Sequence, residues 1–403
     1  MRIAYVTTYD SSDVEAWSGL GYHIRTALCR SGFDVRAIDK LSAAGRLRSA
    51  AKQFLYTNLA MKQFRRDREP LLLRSYASQV EKALESIDCD VIFSPGTMPI
   101  AYLNTTKPLV FWADSTFAGM VDFYPDYTNL CDASIRRGHE MEQAALTRCS
   151  LAIYSSEWAA STALRHYTVD PRKVKVVPFG ANTDGLQHSC DVVRIVAAKP
   201  LDVCRLLFVG TDWERKRGEF AIAVADLLVR QGVPTELNIV GDVPPRPTPD
   251  YVKVHGFVSK RTSHGKETLR QLFTKCHFLL HPCRAECFGL VLAEAGSFAV
   301  PCVAANTGGT SSVVTDGVNG RLFAAYESAG AYSTYIQRVF GSKSEYERLA
   351  VSSYREYCER LNWAVAGRRV RELIEEIADH RRATASSLAI AGREAVSEHV
   401  IRC

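Results

Sequence analysis

A chain of 403 residues exceeds one ordinary hydrophobic core and reads as two domains of about 100–200 residues each. Apolar residues make up 47% and charged residues 23%, the balance of a soluble globular protein, and no apolar run approaches the roughly 18–20 residues that span a bilayer. The formal charge of +6 is modest, and no nucleic-acid partner is expected.

The N-terminal MRIAYVTTYD reads as a first strand rather than a signal peptide, because its apolar run is short and soon turns polar. Strands are predicted at IAYVT from Ile3, FDVRAI from Phe33, DVIFSP from Asp90, PLVFWA from Pro108, LAIYSS from Leu151 and KVKVVPFGA from Lys173. Helical patterns fall between them, as at 21–30 and 133–147. Residues 183–203 lack a strong period and read as a linker between a domain over 1–182 and one over 204–362. The second set of strands is RLLFVG from Arg205, TELNIVGD from Thr235, YVKVHGFV from Tyr251, HFLLHP from His277 and PCVAAN from Pro301. The stretch from Glu327 to Arg381 is helical and ends in an amphipathic helix over 363–381, placed to cross back to the first domain. An Ala- and Ser-rich tail over 382–403 follows, read as poorly ordered. Strands alternating with helices imply α/β units around parallel sheets.

The twelve cysteines are scattered without a Cys-x-x-Cys pair, so reduced thiols in a cytoplasmic protein are expected. His281, Cys283 and Cys287 raise the question of zinc, but no second ligand pair accompanies them, and no metal is expected. Charge is concentrated between Leu41 and Ser75. There Arg46, Arg48, Lys52, Lys62, Arg65, Arg66, Arg68 and Arg74 stand against Asp67 and Glu69, with Phe54, Leu55, Leu59, Met61 and Phe64 interspersed. Two readings stay open: a solvated helical hairpin, or a surface that rests on anionic lipid.

The most informative segment runs from His281 to Phe323, in the order strand, acidic loop, helix, strand, glycine pair, helix. Ligands of parallel α/β sheets bind beyond the carboxyl ends of strands, so the helix expected near Phe288 would aim free N–H groups into the cleft, suited to a phosphate. Glu286 and Glu294 flank its first turns; eight helical residues would separate them by roughly 12 Å along the axis. Phe288-Gly289, Pro301 and Gly308-Gly309 complete the pattern.

ECFGLVLAE in this context resembles the E-x7-E motif of family 4 retaining glycosyltransferases of the GT-B fold. RLLFVGTDWERKRGEFAIAVADLL is similar to the family's phosphate-binding strand–loop–helix; LNIVGD and VHGFV fit its next two strands, and VPFGAN its approach to the linker. The resemblance covers residues 1–377, more closely in the C-terminal half. It implies an α/β, GT-B protein: two facing Rossmann-like domains with parallel sheets and a C-terminal helical segment, the acceptor domain first and the donor domain second. It implies a retaining, metal-independent transfer of a sugar from a nucleoside-diphosphate sugar, UDP being the commonest carrier, to a glycan, lipid-linked or small-molecule acceptor. No cofactor is expected beyond the nucleotide-sugar co-substrate.

Residue by residue, the resemblance implies that Glu286 binds donor-sugar hydroxyls, Glu294 the ribose, and Lys216 the leaving diphosphate. Phe288, Gly289 and Leu290 would present N–H groups to the growing negative charge. The family commonly places arginine after the strand glycine; Thr211 follows Gly210 here, and Arg215 or Arg217 is expected to supply that charge. Asp114 stands where many relatives carry a histidine facing the reacting sugar; as an alternative it would be an N-cap. Gly19 and Gly21 are expected either to bring a flexible loop to the donor or to form a turn into the next helix, while His139 and Glu140 read as a solvated face.

Two rivals remain. A nicotinamide-dependent oxidoreductase would use Gly19-Leu20-Gly21 and Asp39, but the glycines come late after the strand and Ile24 replaces the third. A non-catalytic nucleotide- or glycan-binding protein would explain Thr211 and Asp114, but not the intact set of Lys216, Glu286 and Glu294. A cytoplasmic enzyme is the reading carried forward, with peripheral contact at the inner membrane face left as one of the two open readings of the basic stretch.

Overall fold

The protein, seen as a computed structural model, is described over residues 1–183, 185–186 and 191–380. The expected tail over 382–403 lies outside the described residues.

Two six-stranded parallel sheets organise the chain. The first holds β1 (Arg2–Val6), β2 (Asp34–Ile38), β3 (Val91–Ser94), β4 (Leu109–Ala113), β5 (Leu151–Tyr154) and β6 (Val174–Val176) in the order β2-β1-β3-β4-β5-β6. The second holds β7 (Cys204–Gly210), β8 (Thr235–Gly241), β9 (Val252–Gly256), β10 (Phe278–His281), β11 (Cys302–Ala305) and β12 (Gly320–Phe323) in the order β12-β11-β10-β7-β8-β9. Central strands such as LVFWA and FLLH are buried along their whole length, because helices cover both faces of a parallel sheet. The edge strands β2, β6 and β9 carry the charged residues Arg36, Lys175 and Lys253. Within the segment read as a linker, Val192–Ala197 forms a short helix with Val192 and Val196 buried against the second sheet's core.

Each strand order reverses once, between β1 and β3 and between β7 and β10. At such a switch point the crossovers leave on opposite faces, and a crevice opens beyond the carboxyl ends. The loops after β1, β3 and β4 therefore meet the loops after β7 and β10.

One hydrophobic cluster runs through both halves. It joins Tyr5, Trp112 and Phe179 to Phe288, Leu292 and Leu361. The helix over 363–380 returns to the first half. Trp363 lies over Phe179 and stacks on His23, its Nε1 donates to Asn182 at 3.0 Å, and Arg371 donates to the carbonyl of Ser31. On the opposite rim Arg261 pairs with Asp13 at 2.6 Å and Glu15 at 3.0 Å, tying the loop after β9 to the loop after β1.

Candidate active site

A cleft of about 720 Å³ lies between the two sheets, lined by both halves of the chain. Its second-half wall is built on β7 and β10. After Gly210 the chain makes a tight turn, with Asp212 and Arg217 in the left-handed region bracketing a single helical turn, Trp213–Lys216. Asp242, after β8, fixes that turn by accepting from the N–H of Asp212 at 2.6 Å and of Trp213 at 3.1 Å. Gly210 is required because a Cβ there would sit 2.8 Å from Cγ of Lys216, whose stem crosses it. Lys216 thus reaches into the cleft, and its Nζ donates to Glu286 Oε2 at 2.5 Å.

Glu286 is buried at the centre of a polar cluster. His281, at the end of β10, lies 3.1 Å from the same oxygen, and Arg215 lies 4.0 Å away while donating to the carbonyl of Ala285. Burial alone would raise the Glu286 carboxyl, but the Lys216 ammonium and the His281 hydrogen bond hold it well below the usual range. Burial and the nearby Lys216 lower His281, so its imidazole is neutral at pH 7. Of the two arginines offered for the missing charge, Arg215 lines the cleft and stacks over Tyr124 at 4.9 Å, whereas Arg217 turns away onto Phe220 and the carbonyl of Ala325.

The helix after Glu286 spans Leu290–Ser297, two residues later than the sequence suggests, because Gly289 caps it at φ +89°. Glu286 therefore sits in the preceding loop, and the axial spacing expected between the two glutamates does not apply. Glu294 is on the helix, 3% exposed, with Lys260 paired to its Oε1. The glycine pair acquires a physical reason: a Cβ on Gly308 would lie 2.0 Å from the carbonyl of Glu286, and one on Gly309 2.0 Å from that of Cys287. Phe288, Gly289 and Leu290 line the cleft, and the first N–H groups of the helix have no intrahelical acceptor. The Phe288 ring packs edge-on against Phe179, 5.3 Å away.

From the other wall comes Asp114, after β4. It is not an N-cap: Thr116 caps the next helix, accepting from the N–H of Gly119 at 3.0 Å, and Asp114 is left facing the cleft. Burial, reinforced by the Glu286 charge, pushes its carboxyl up to about 6, against the pull of the Ser115 hydroxyl.

The loop that carries Gly19 and Gly21 reaches the cleft through their neighbours. Neither lines the cleft; Trp17, Ser18 and Leu20 do. Gly19 is the left-handed cap of the helix Leu20–Arg30, and Gly21 makes room for the Tyr9 ring. His139 is not a solvated face: its Nδ1 lies 3.1 Å from the Tyr167 hydroxyl and its ring packs edge-on to Phe117. Of the suspected zinc residues, Cys287 turns to Met120, while His281, Cys283 and Glu286 converge within 4.8 Å. That trio suits a metal poorly. Burial holds the Cys283 thiol neutral, up to about 12, and the Lys216 ammonium already meets Glu286.

Sequence reasoning missed Lys260, Tyr124, Arg68 and Glu142 on the cleft walls. Only Lys260 carried a signal, as the first basic residue beyond the carboxyl end of β9.

Two family models match, one described as Glycosyltransferase Family 4 over residues 21–184 and one as Glycosyl transferases group 1 over 203–341. Curated relatives include an uncharacterized glycosyltransferase of Methanocaldococcus jannaschii, 28% identical over 32% of this chain and 38% of that one. Another is the D-inositol 3-phosphate glycosyltransferase of Corynebacterium diphtheriae, 23% identical over 59% and 58%. The matched region is thus well under two thirds of these relatives' length. Among solved structures, sucrose-phosphate synthase from Thermosynechococcus elongatus superposes with a TM-score of 0.68 at 15% identity, over 94% of this chain and 99% of that one. Anabaena HepE in complex with UDP-glucose gives 0.61 at 17%, over 93% and 100%. At these identities the likeness is one of fold, and the fold is GT-B.

Proposed function

We propose that this chain, a GT-B glycosyltransferase of the group 1/family 4 type, moves a sugar from a UDP-sugar to an acceptor hydroxyl with retention and without a metal. The observation that carries the reading is the Lys216 ammonium, 2.5 Å from the Glu286 carboxylate, beside the N–H groups that open the helix Leu290–Ser297. Cleavage of the bond between the sugar and the diphosphate leaves growing negative charge on phosphate oxygen. A preorganised cation and aligned N–H dipoles in a partly desolvated cleft stabilise that charge. Lys216, Arg215 and the N–H groups of Phe288, Gly289 and Leu290 are assigned to the diphosphate, Glu286 to the sugar hydroxyls and Glu294 to the ribose. Gly210 gives the Lys216 stem its path. UDP as carrier is supported by HepE, whose solved complexes hold UDP and UDP-glucose. A small polyhydroxylated acceptor is kept beside a lipid-linked one, a reading supported by the relatives named for D-inositol 3-phosphate.

A thermal-shift series with UDP, GDP and ADP, each in the presence of EDTA, tests the donor side. A ligand at 100 times its dissociation constant stabilises by about 2.7 kcal/mol. UDP should shift the transition with chelator present, and slow UDP-sugar hydrolysis should distinguish an enzyme from a binding protein. Absence of any nucleotide shift counts against the reading. Asp114 is assigned to a hydroxyl of the donor sugar or acceptor. With its folded value raised, its ionisation costs stability as pH climbs from about 4 through 6, and the carboxylate form prevails above that. Hydrolysis or transfer should then show a limb near pH 6 that Asp114→Asn removes.

Peripheral membrane contact is proposed on the helix Arg46–Asn58 and the turn after it, where Phe54, Leu55, Leu59 and Met61 are 65, 52, 75 and 76% exposed. Phe64, by contrast, is buried, and Lys52 is paired with Glu69 at 2.7 Å, so not every apolar or basic side chain of the stretch is free to meet a membrane. Among the described residues no helix is long and apolar enough to cross a membrane. Co-sedimentation should rise with anionic-lipid content and fall with salt. Failure to bind strongly anionic vesicles at low salt would remove the membrane from this account.

A further inference from the structure

On the first-half wall, across the cleft from Lys216, lies a second cationic group that the donor reading does not use. Arg68 closes the short turn Arg66–Arg68 ahead of the helix Pro70–Leu84, in the middle of the most basic stretch of the chain. Its neighbours in sequence find partners elsewhere: Arg65 pairs with Asp67 at 2.9 Å, and Glu69 takes Lys52 and Arg137. Arg68 turns inward, 8% exposed, and lines the cleft.

A guanidinium offers five N–H donors and is always charged. Here NH2 donates to the Tyr127 hydroxyl at 3.2 Å, NH1 has the thioether of Met141 at 3.6 Å, and Nε has no hydrogen-bond partner. The nearest carboxylate oxygen, on Asp67, is 3.9 Å from NH1 and is the same oxygen that already meets Arg65. The Phe117 ring, 5.5 Å from the guanidinium carbon, supports the plane of the fork. Asp67 and Glu142 feel its charge, but among the described residues no carboxylate oxygen lies within hydrogen-bond distance of the guanidinium, so the fork keeps donors that a ligand could take.

Facing the same space is Glu142, 2% exposed on the helix Asp132–Arg148. Its Oε2 accepts from the Thr97 hydroxyl at 3.0 Å and its Oε1 has no partner. Burial pushes this carboxyl up to about 7, so near neutral pH its protonated form offers an O–H donor instead of repelling an anion. Gly96, beside Thr97 in the cleft wall, has nothing within 4 Å of its Cβ position and leaves open space there.

We infer that Arg68, Tyr127, Thr97 and Glu142 form an oxyanion-binding subsite that holds a phosphate or carboxylate borne by the acceptor. The fork of Arg68 matches two oxygens of either group. The inference rests on the reading that the opposite wall holds the donor diphosphate, because that is what makes this wall the acceptor's. It adds the selection of anionic over neutral acceptors.

The test is calorimetry on the full chain saturated with UDP, so that the diphosphate site is filled, with inorganic phosphate and glucuronate titrated separately to distinguish the two oxyanions. Phosphate or glucuronate should bind the UDP-loaded wild type, and Arg68→Met should weaken that binding about tenfold or more. Arg68→Lys, which keeps a cation in the same packing, should fall between them and serves if the Met variant does not fold. Binding of neither anion to the UDP-loaded wild type, or equal affinity in wild type and both variants, overturns the subsite. If UDP itself does not bind, the donor reading fails instead. The same phosphate titration of the nucleotide-free Lys216→Ala protein, with and without Arg68→Lys, then decides Arg68 alone.

Discussion

Lys216→Ala should lower turnover at saturating donor by about two to three decades, the scale of about 3–4 kcal/mol seen when a group aimed at developing charge is removed. The geometry makes the loss specific. Lys216 is 12% exposed, its stem lies across Gly210, and its ammonium meets Glu286 directly whereas Arg215 stands 4.0 Å off and Arg217 turns away. The substitution also strips the buried Glu286 of its main countercharge, leaving the neutral His281 as its closest partner. A stability signature follows. The wild-type carboxyl is held low, so it contributes stability above its unfolded value of 4.5 and loses that contribution as pH falls toward its folded value. In the variant only the His281 hydrogen bond and Arg215 at 4.0 Å still oppose desolvation, and an ionised Glu286 becomes less favourable at neutral pH. The Tm deficit should therefore be largest near pH 7 and shrink below about pH 4.5. Single-turnover donor cleavage together with melting curves checks both parts; unchanged turnover would remove Lys216 from the diphosphate.

The strands were the most legible part of the chain. Eleven of them announce themselves as apolar runs bounded by polar turns, and only β12, GRLF, escaped, being four residues at a sheet edge with an exposed Arg321. Periodicity reports that a residue is buried; it does not report what it is buried against. For that reason the sequence could not show that Gly19 and Gly21 make room for the carbonyl of Val14 and the ring of Tyr9. Arg68 looked like one more surface charge in a basic run for the same reason. Its inward turn depends on Tyr127, Met141 and Phe117, which lie 49 or more positions away in sequence. The second-half wall could be read because its parts are contiguous: strand, loop and helix follow one another within the segments that hold Lys216 and Glu286. The first-half wall draws on loops after three separate strands, and no local pattern links Asp114 to Glu142 or Arg68.

The two glutamates should separate by ligand. Glu294→Gln should weaken UDP by about tenfold, the cost of a charge-assisted hydrogen bond, whereas Glu286→Gln should leave UDP affinity nearly intact and lower sugar transfer by about a hundredfold. Lys260 complicates the first expectation, because its ammonium already pairs with Glu294 Oε1. Loss of UDP affinity could then report a displaced Lys260 and not a lost ribose contact. UDP analogues lacking the ribose 2′ or 3′ hydroxyl distinguish the two. If Glu294 accepts from the ribose, the wild type prefers UDP over at least one of these analogues, and Glu294→Gln erases that preference. Lys260→Met, with Glu294 intact, should preserve it. A Glu294→Gln protein that binds UDP and both analogues more weakly by one common factor would assign Glu294 to holding Lys260 in place, and the ribose would need another partner on the same helix.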